Sequence, residues 1–162
     1  MKHLLLLIAI CTSVSMFGQR KSPHDTVSNG TVTVTYGRPY KNDRDIFGGL
    51  EKFGKPWRVG ADEATTITFK SDVKFAGQAV KAGTYTLFAI PNEKEWTIIL
   101  NSVMGQWGAY SYEKNKEKDV LKANVMVRKL DKVVEQLTIR FNEDKTMIIE
   151  WDKTQVFVPI SY

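Results

Sequence analysis

The chain is poor in the side chains that most often carry out catalysis. Its 162 residues include one cysteine and two histidines, and of these only His24 lies beyond residue 11. A Cys/His nucleophile pair and a Cys/His zinc site therefore lack their components in most of the chain. Neither a glycine-rich phosphate loop ending in Lys-Ser/Thr nor a G-x-S-x-G elbow occurs. We expect no cofactor and no metal ion, and the sequence favours a non-catalytic protein.

Long hydrophobic runs are also missing, except for one short run near the start of the chain. Leu4–Cys11 is uninterrupted and apolar, but a membrane-spanning helix needs about 20 apolar residues. Because a basic end precedes this run and small residues follow it, residues 1–19 are predicted to be a secretory signal peptide that is removed. We expect residues 20–162 to be a single domain, exported to the periplasm, the cell envelope or the medium, without a transmembrane segment. Lipid attachment at Cys11 is a minor alternative, since Ile10 stands where a small residue is expected.

Alternation of apolar and polar residues dominates the remainder of the chain, and no long helical period occurs. The composition is ordinary for a globular protein, with 43% hydrophobic and 25% charged residues. Successive side chains of a strand point to opposite faces, so each alternating set predicts one buried face. Short connections between several sets favour antiparallel hairpins. We predict an all-β protein, a single antiparallel, jelly-roll-like β-sandwich of about nine strands. Prominent apolar sets lie at 32–36, 67–69, 96–100, 123–127, 137–141, 147–151 and 156–160.

Two segments interrupt the alternation and are predicted to be long loops. They cover residues 37–63 and 101–119, where only Asp45–Phe53 and Glu113–Leu121 could hold a helical turn or two. Long loops in compact domains are usually functional or disordered. The first loop is rich in aromatic residues and glycines, which argues against disorder. We therefore expect a binding site at these loops.

The excess of positive charge is concentrated near the first long loop. The net charge of the chain is +5, and residues 20–60 contain eight basic and four acidic residues. Arginine offers a planar fork that suits carboxylate or phosphate, and arginine and aromatic residues dominate binding hot spots. We predict a cleft that binds a glycan or an anionic small molecule. The candidate ligand-binding residues are Arg38, Tyr40, Arg44, Trp57, Arg58, Glu63, Trp107 and Tyr110.

Packing is a competing interpretation of the same residues, and on general grounds it is favoured about two to one. The first loop would then plug one end of the sandwich with its aromatic side chains, and its arginines would pair with nearby acids. The residues concerned are Phe47, Phe53, Trp57 and Trp107 for packing, and Arg44 or Arg58 with Asp62 or Glu63 for ion pairs.

Several motifs occur in the order found in one known family. They are IFGGL at 46–50, GKPWRVGADEATTITF at 54–69, KAGTYTLFAIPNEKEWTIILN at 81–101 and WGAY at 107–110. With these motifs the chain resembles, over about residues 22–160, the DUF2911 family of exported proteins of unknown function, found largely in Bacteroidetes. The resemblance implies an all-β domain in the periplasm or at the cell surface, and it supplies no catalytic residue. Asp62 departs from the family pattern, in which an asparagine follows the Gly-Ala pair.

Three functions are compatible with this sequence. The first is a non-catalytic module that binds a glycan or an anionic small molecule. The alternative is a structural or interaction protein of the cell envelope, which an exposed apolar patch would indicate. A second alternative is a carboxylate-dependent glycan hydrolase, which needs two carboxyl groups about 5–10 Å apart in a cleft and for which Glu63 is the candidate. Nucleic acid is not expected as a partner, because the predicted export separates the protein from it and the charge excess is modest. The sequence gives no indication of the oligomeric state.

Overall fold

The computed structural model describes residues 21–162, which form ten strands, one short helix and one 3-10 turn. The predicted signal peptide, residues 1–19, lies outside the described residues, as does Cys11. The all-β prediction is confirmed, with ten strands where the sequence predicts about nine. The elements are β1 (His24–Ser28), β2 (Val32–Gly37), β3 (Thr66–Phe69), β4 (Val73–Phe75), β5 (Gln78–Val80), β6 (Gly83–Ile90), β7 (Glu95–Asn101), α1 (Tyr112–Asn115), the 3-10 turn (Lys116–Lys118), β8 (Asp119–Phe141), β9 (Met147–Val158) and β10 (Ile160–Ser161).

The strands pair antiparallel and form one large and one small sheet. The large sheet has the order β1-β2-β3-β6-β7-β8-β9, and the small sheet has the order β10-β4-β5. Most neighbours in the large sheet are also consecutive along the chain, as expected for short hairpin connections. The predicted alternation is visible on β2, where Val32, Val34 and Tyr36 are buried while Thr33 and Thr35 are half-buried or exposed.

The large sheet curls until the chain beyond β2 meets the second half of β8. There the backbone N–H of Lys41 donates to the carbonyl oxygen of Glu135 (2.7 Å). On the inside, Tyr36 accepts a hydrogen bond at Oη from the backbone N–H of Ile139 (2.9 Å), a partner 103 positions away in the sequence. Burial raises the pKa of Tyr36, so its hydroxyl stays neutral. This seam between β2 and β8 closes the curled sheet around its core.

Four aromatic rings fill the interior beside the first long loop. Phe47 and Trp57 come from the loop, Trp96 from β7 and Trp151 from β9. The centroids of Phe47 and Trp96 lie 4.7 Å apart, and Trp57 stacks on Trp151 at 6.2 Å. Each of the three tryptophans is at most 1% exposed. The loop thus contributes to the core, as the packing interpretation predicts, whereas Phe53 is only half-buried.

The last strands differ from the prediction in their continuity. The apolar sets at 123–127 and 137–141 belong to a single 23-residue strand, β8. The set at 147–151 likewise continues through Asp152 to Val158 in one strand, β9, where Asp152 has a φ of 54° and the register with β8 shifts. Alternation indicates which side chains are buried, but it does not distinguish a bulge from a turn.

The predicted helical turns are confirmed at one of two places. Asp45–Phe53 forms turns without a helix. In the second loop, α1 begins at Tyr112 and the following 3-10 turn ends at Lys118, so the helical part is shorter than Glu113–Leu121 and starts one residue earlier. The remaining residues at the end of that range, from Asp119, already belong to β8.

Candidate functional site

A cleft of about 640 Å³ opens where the first long loop meets the N-terminal segment and the second loop. Its volume lies within the range of about 300–1,000 Å³ that is typical of small-molecule sites. Of the eight predicted ligand-binding residues, the structure brings four together here, namely Tyr40, Arg44, Arg58 and Tyr110. The other lining residues are Lys21, Ser22, Pro23, Pro39, Asn42, Leu50, Glu51, Pro56, Gly60, Ala61, Asp62, Ala109 and Trp151.

Residues 58–64 form a loop that we call the cleft loop, and four of its residues, Arg58, Gly60, Ala61 and Asp62, line one wall of the cleft. Both ends of the loop are anchored on β6. Before it, Trp57 N donates to Ala89 O (2.7 Å) and Ala89 N donates to Trp57 O (2.9 Å). After it, Leu87 N donates to Thr65 O (2.8 Å). Because Leu87 and Ala89 are two residues apart on one strand, the cleft loop leaves the sheet and returns to it at nearly the same place.

Thr65 closes the base of the cleft loop. Its backbone N–H donates to Arg58 O (3.1 Å), and its buried hydroxyl donates to Val59 O (2.9 Å). These bonds hold Val59 at a φ of 53°, a backbone conformation that is costly for a β-branched residue. Backbone strain is therefore located directly beside Arg58.

The cleft loop also packs against Gly37, the last residue of β2. Ala61 N donates to Gly37 O at 3.3 Å. A Cβ atom on Gly37 would lie 2.1 Å from Ala61 O, so this close approach of two backbones requires glycine. The wall of the cleft is thereby fixed to the large sheet.

Asp62 joins the cleft loop to two other segments, a role that the sequence analysis did not identify. Its Oδ2 accepts hydrogen bonds from the backbone N–H groups of Lys21 and Ser22, both at 3.0 Å. Its backbone oxygen accepts a hydrogen bond from Gly108 N (3.0 Å). Asp62 has a φ of 64°, a region that Asp and Asn adopt more readily than most residues. The backbone therefore accounts for a short polar side chain here.

The side chains of Arg58 and Glu51 form no hydrogen bond or ion pair with the described residues, although their charges attract each other. Within residues 21–162, the Arg58 side chain forms no hydrogen bond or ion pair, and its Nε is buried without a partner. The carboxyl group of Glu51 likewise accepts no hydrogen bond from the described residues. Burial raises the pKa of Glu51, while the charges of Arg58 and Arg44 oppose the rise. Both side chains line the cleft.

Arg44 is oriented by the backbone of its own loop. Its Nε donates to Lys41 O (2.8 Å), and one terminal nitrogen donates to Tyr40 O. No ion pair joins Arg44 or Arg58 to Asp62 in the part of the chain that the structure describes, so this part of the packing interpretation is wrong there. The guanidinium instead contributes positive charge to the cleft from a fixed position.

Two tyrosines present aromatic surface at the cleft. Tyr40 is 45% exposed and Tyr110 is 84% exposed. The ring of Tyr110 lies against the backbone of Gly108, where a Cβ atom would be 2.7 Å from Tyr110 Cε2. Gly108 has a φ of 64°, so glycine suits both the backbone and the ring. The opposite face of the Tyr110 ring is left for a ligand.

The other four candidates, Arg38, Trp57, Glu63 and Trp107, do not line the cleft. Arg38 spans the seam between β2 and β8, where its Nε donates to a backbone carbonyl of β8 (3.0 Å). Trp57 belongs to the core. Glu63 Oε2 lies 3.1 Å from His24 Nε2, and Glu63 forms a β-bridge with Trp107. These residues support the surroundings of the cleft and are not placed to touch a ligand inside it.

A buried polar network holds the second loop. Asn101 Nδ2 donates to Asn115 O (2.8 Å) and to Asp119 Oδ1 (2.7 Å), and Asn101 Oδ1 accepts from Gln106 Nε2 (3.3 Å). Tyr112 Oη donates to Asp119 Oδ2 at 2.7 Å. Burial and this hydrogen bond raise the pKa of Tyr112. The network fixes the loop that carries the exposed tyrosine of the cleft.

Tyr112 has the packing role that the sequence predicts for Trp107. Its ring centroid lies 5.1 Å from that of Phe88, and together with Ala64 and Ile99 these rings form a second, smaller core. Trp107 is 36% exposed. Both residues are aromatic members of one loop, and only the tertiary structure determines which of them faces the sheet.

Residues 21–162 contain neither a cluster of metal-ligating side chains nor a membrane-spanning helix. No group of three or more His, Cys, Asp or Glu side chains in this range is arranged to hold a metal ion. No helix in the same range is both long and apolar enough to cross a membrane.

Comparisons with known proteins identify the family. A family model described as a protein of unknown function (DUF2911) matches residues 19–160. A search of curated proteins gives no match, and a search of solved structures gives none either. Because the matched segment covers most of the sequence, the chain belongs to the DUF2911 family, whose function is unknown.

Proposed function

We propose that the protein is a non-catalytic module that binds a glycan or an anionic small molecule in the cleft. The observation that carries the proposal is the unpaired guanidinium of Arg58 on the wall of a cleft of ligand size. A guanidinium stays charged in proteins and offers N–H donors in a planar fork. Without a partner in the protein, these donors suit an incoming carboxylate, phosphate or sulfate.

The remaining lining residues support an anionic ligand. Lys21, Arg44 and Arg58 face Glu51 and Asp62, which leaves one positive charge in excess when both acids are ionised. The raised pKa of Glu51 makes its carboxyl group easier to protonate, which increases this excess. The exposed tyrosines add surface on which a sugar ring can stack.

A thermal-shift screen tests the proposal. The purified protein is heated with neutral and acidic oligosaccharides, phosphate, sulfate and small carboxylates. A ligand that binds only the folded state stabilises it by about 2.7 kcal/mol at a concentration of 100 times Kd. Arg58→Gln is expected to abolish the response, while Arg128→Gln, on the exposed face of β8, preserves it. An unchanged Tm with every compound, or equal responses of the two variants, would contradict the proposal.

A carboxylate-dependent glycan hydrolase is the second candidate, because two carboxyl groups line the cleft. They belong to Glu51 and Asp62, whereas Glu63, the candidate from the sequence, does not line it. The raised pKa of Glu51 suits a general acid, and the carboxylate of Asp62 is held by two backbone N–H groups.

Hydrolysis of chromogenic aryl glycosides tests this second candidate. If the protein is a hydrolase, it releases the aryl group, and Glu51→Gln lowers the rate by about 100-fold or more. Glu95→Gln, at an exposed position of β7, serves as the control and keeps the full rate. A wild-type protein that binds a glycan without hydrolysing it supports the non-catalytic module instead.

We also propose that residues 1–19 direct export of the protein. The proposal is supported by the order of a basic end, a short apolar run and small residues. Expression of the full chain, cell fractionation and N-terminal sequencing of the product test it. A product that retains Met1 in the cytoplasm contradicts the proposal. Recovery in the envelope fraction with a lipid on Cys11 supports the lipoprotein alternative, and envelope recovery with partner proteins supports the structural one.

A further inference from the structure

We infer that the ligand of the cleft is an acidic carbohydrate, in which a sugar carboxylate pairs with Arg58 and the sugar ring stacks on Tyr110. The inference rests on the proposed function and narrows it to one ligand class. It combines three observations, namely the charge balance of the cleft, the unpaired groups on its wall and the exposed aromatic ring at its rim.

When Glu51 and Asp62 are both ionised, the charge balance of the cleft favours a ligand with a single negative charge. The cleft is lined by three basic and two acidic side chains. A monoanionic carboxylate therefore neutralises the local excess, whereas a phosphate dianion would leave the cleft with a net negative charge. In the same cleft, repulsion from Glu51 and Asp62 increases with the charge of the anion.

The unpaired groups provide one cation and one carboxyl group in the same cleft. Arg58 offers a planar fork to the carboxylate of the ligand, a geometry that gives two parallel hydrogen bonds. Glu51 accepts hydrogen bonds when it is ionised and also donates one when it is protonated. Sugar hydroxyls both donate and accept, so either form of Glu51 can bond to them. A small anion without hydroxyl groups leaves Glu51 without a partner.

The aromatic rim favours a ring-shaped ligand. Tyr110 is 84% exposed, yet its ring is backed by Gly108 on the loop that the Asn101–Gln106 network holds. An exposed tyrosine ring offers an apolar face and a polar tip, which match the C–H face and the hydroxyls of a sugar. Neither acetate nor phosphate has an apolar face to use this surface.

Calorimetric titration of the wild-type protein with four compounds tests the inference. The compounds are a trisaccharide with a single glucuronic acid residue, a neutral glucose trisaccharide, acetate and inorganic phosphate. The acidic trisaccharide is expected to bind at least about tenfold more tightly than any of the other three, because it alone engages both Arg58 and Tyr110. This comparison uses only the wild-type chain, so it does not depend on the folding of a variant.

Single-residue variants then test separately the contacts of the ligand with Arg58 and with Tyr110. Arg58→Gln is expected to weaken binding of the acidic trisaccharide by about tenfold or more, and Tyr110→Ala by about threefold or more. Arg128→Gln and Tyr162→Ala are matched controls, since both side chains are exposed and neither lines the cleft. Unliganded Tm values are measured for all four variants to verify that they fold.

Each of the other possible outcomes contradicts a specific part of the inference or of the proposed function. Equal affinity for the neutral and acidic trisaccharides overturns the carboxylate contact and leaves the proposed glycan-binding function intact. Equal affinity for phosphate, acetate and the acidic trisaccharide overturns the sugar contact and leaves anion binding intact. Absence of binding by all four compounds overturns the inference, and the proposed function fails only if the wider thermal-shift panel is negative as well.

Discussion

Val59, Arg58 and Glu51 each occupy an environment that costs folding free energy. Val59 has a left-handed backbone, the Nε of Arg58 is buried without a partner, and Glu51 has a carboxyl group whose pKa is raised by burial. Strained or unsatisfied groups of this kind cost about 1–3 kcal/mol each. They persist only where neighbouring residues hold them, and they are common at functional sites.

Thr65→Val tests how the strained backbone is held. The substitution removes the buried hydroxyl that donates to Val59 O and leaves this carbonyl without its partner. We expect a loss of about 1–3 kcal/mol in the free energy of unfolding, measured with urea. Thr68→Val is the matched control, because Thr68 Oγ1 contacts only the exposed Thr84 hydroxyl (3.0 Å) and its loss is expected to cost less than about 1 kcal/mol. Equal losses in the two variants would show that the hydroxyl of Thr65 does not hold the cleft loop.

Glu51→Gln tests the buried carboxyl group through its pH dependence. Burial raises the folded-state pKa of Glu51 above that of the unfolded chain, so the folded state binds the proton more tightly. The protonated carboxyl group therefore contributes stability that is fully present at a pH below the pKa of Glu51 in the unfolded chain. This contribution is lost as the pH rises through the pKa of Glu51 in the folded protein. We therefore expect the variant to have a higher Tm than the wild type at pH 7 and a similar Tm near pH 3. A lower Tm of the variant at pH 7 would mean that attraction to Arg58 outweighs burial.

Four of the eight candidate residues meet in the cleft, and local features explain why these four do and the other four do not. Polar and aromatic loop residues such as Arg58 and Tyr110 are predictable, because a curled sheet leaves its loops at the surface. Glu51 was missed because a single acid in a charged loop carries no distinguishing pattern. The bonds of Asp62 to the N-terminal segment were missed because they join residues 40 or more positions apart. Such contacts have no signal in a single sequence.

At the scale of the element, the second loop depends on the side chain of Asn101. Its amide group is 0% exposed and bonds to partners on both sides of the loop. Long loops are usually stable when their own side chains fill and cross-link them. The loop is therefore expected to behave as a folded element and not as a flexible connection.

Asn101→Leu tests this expectation. The substitution removes hydrogen bonds to Asn115 O, Asp119 Oδ1 and Val103 N, and leaves buried polar groups unpaired. We expect a loss of at least about 2 kcal/mol in the free energy of unfolding, together with faster proteolysis between residues 102 and 118. Asn124→Leu, on the exposed face of β8, is expected to change stability by no more than about 0.5 kcal/mol. Resistance of the Asn101 variant to proteolysis would contradict the role of the network.

Strand positions were largely predictable from the sequence, whereas strand continuity was not. The alternating sets on β2 and β3 carry their apolar residues on the buried face, as predicted. The sequence suggests two strands in this region, but β8 is a single strand. Its pairing with β9 contains two register shifts, and the strand continues through both of them. A β-bulge inserts an extra residue and so interrupts the alternation of apolar and polar side chains. From the sequence alone, this interruption looks like a loop between two strands.

At the scale of the whole molecule, the seam between β2 and β8 joins the two ends of the curled sheet. Its bonds include Tyr36 Oη with Ile139 N and Arg38 Nε with Leu137 O. These partners are about a hundred positions apart, so the seam forms only after a long segment of chain has been ordered. No local pattern in the sequence specifies it, which is why the curl of the sheet could not be predicted.

Tyr36→Phe tests the contribution of the seam. The variant keeps the ring but removes the acceptor of the buried N–H of Ile139. We expect a loss of about 1–3 kcal/mol in the free energy of unfolding, measured with urea. Tyr85→Phe is the control, since its hydroxyl bonds to Lys81 O in an exposed contact, and we expect a change within about 0.5 kcal/mol. Similar values for both variants would show that the seam gains no stability from this hydroxyl.

The cleft loop is tied at Thr65, at Gly37 and at the N-terminal segment before any ligand arrives. The conformational entropy of its backbone is therefore lost during folding and not during association. A ligand that enters the cleft gives up only its own freedom and that of a few side chains, so its affinity is not reduced by the ordering of a loop. The strained conformation at Val59 thus lowers the stability of the fold, but it belongs to a loop that is already ordered for recognition before a ligand binds.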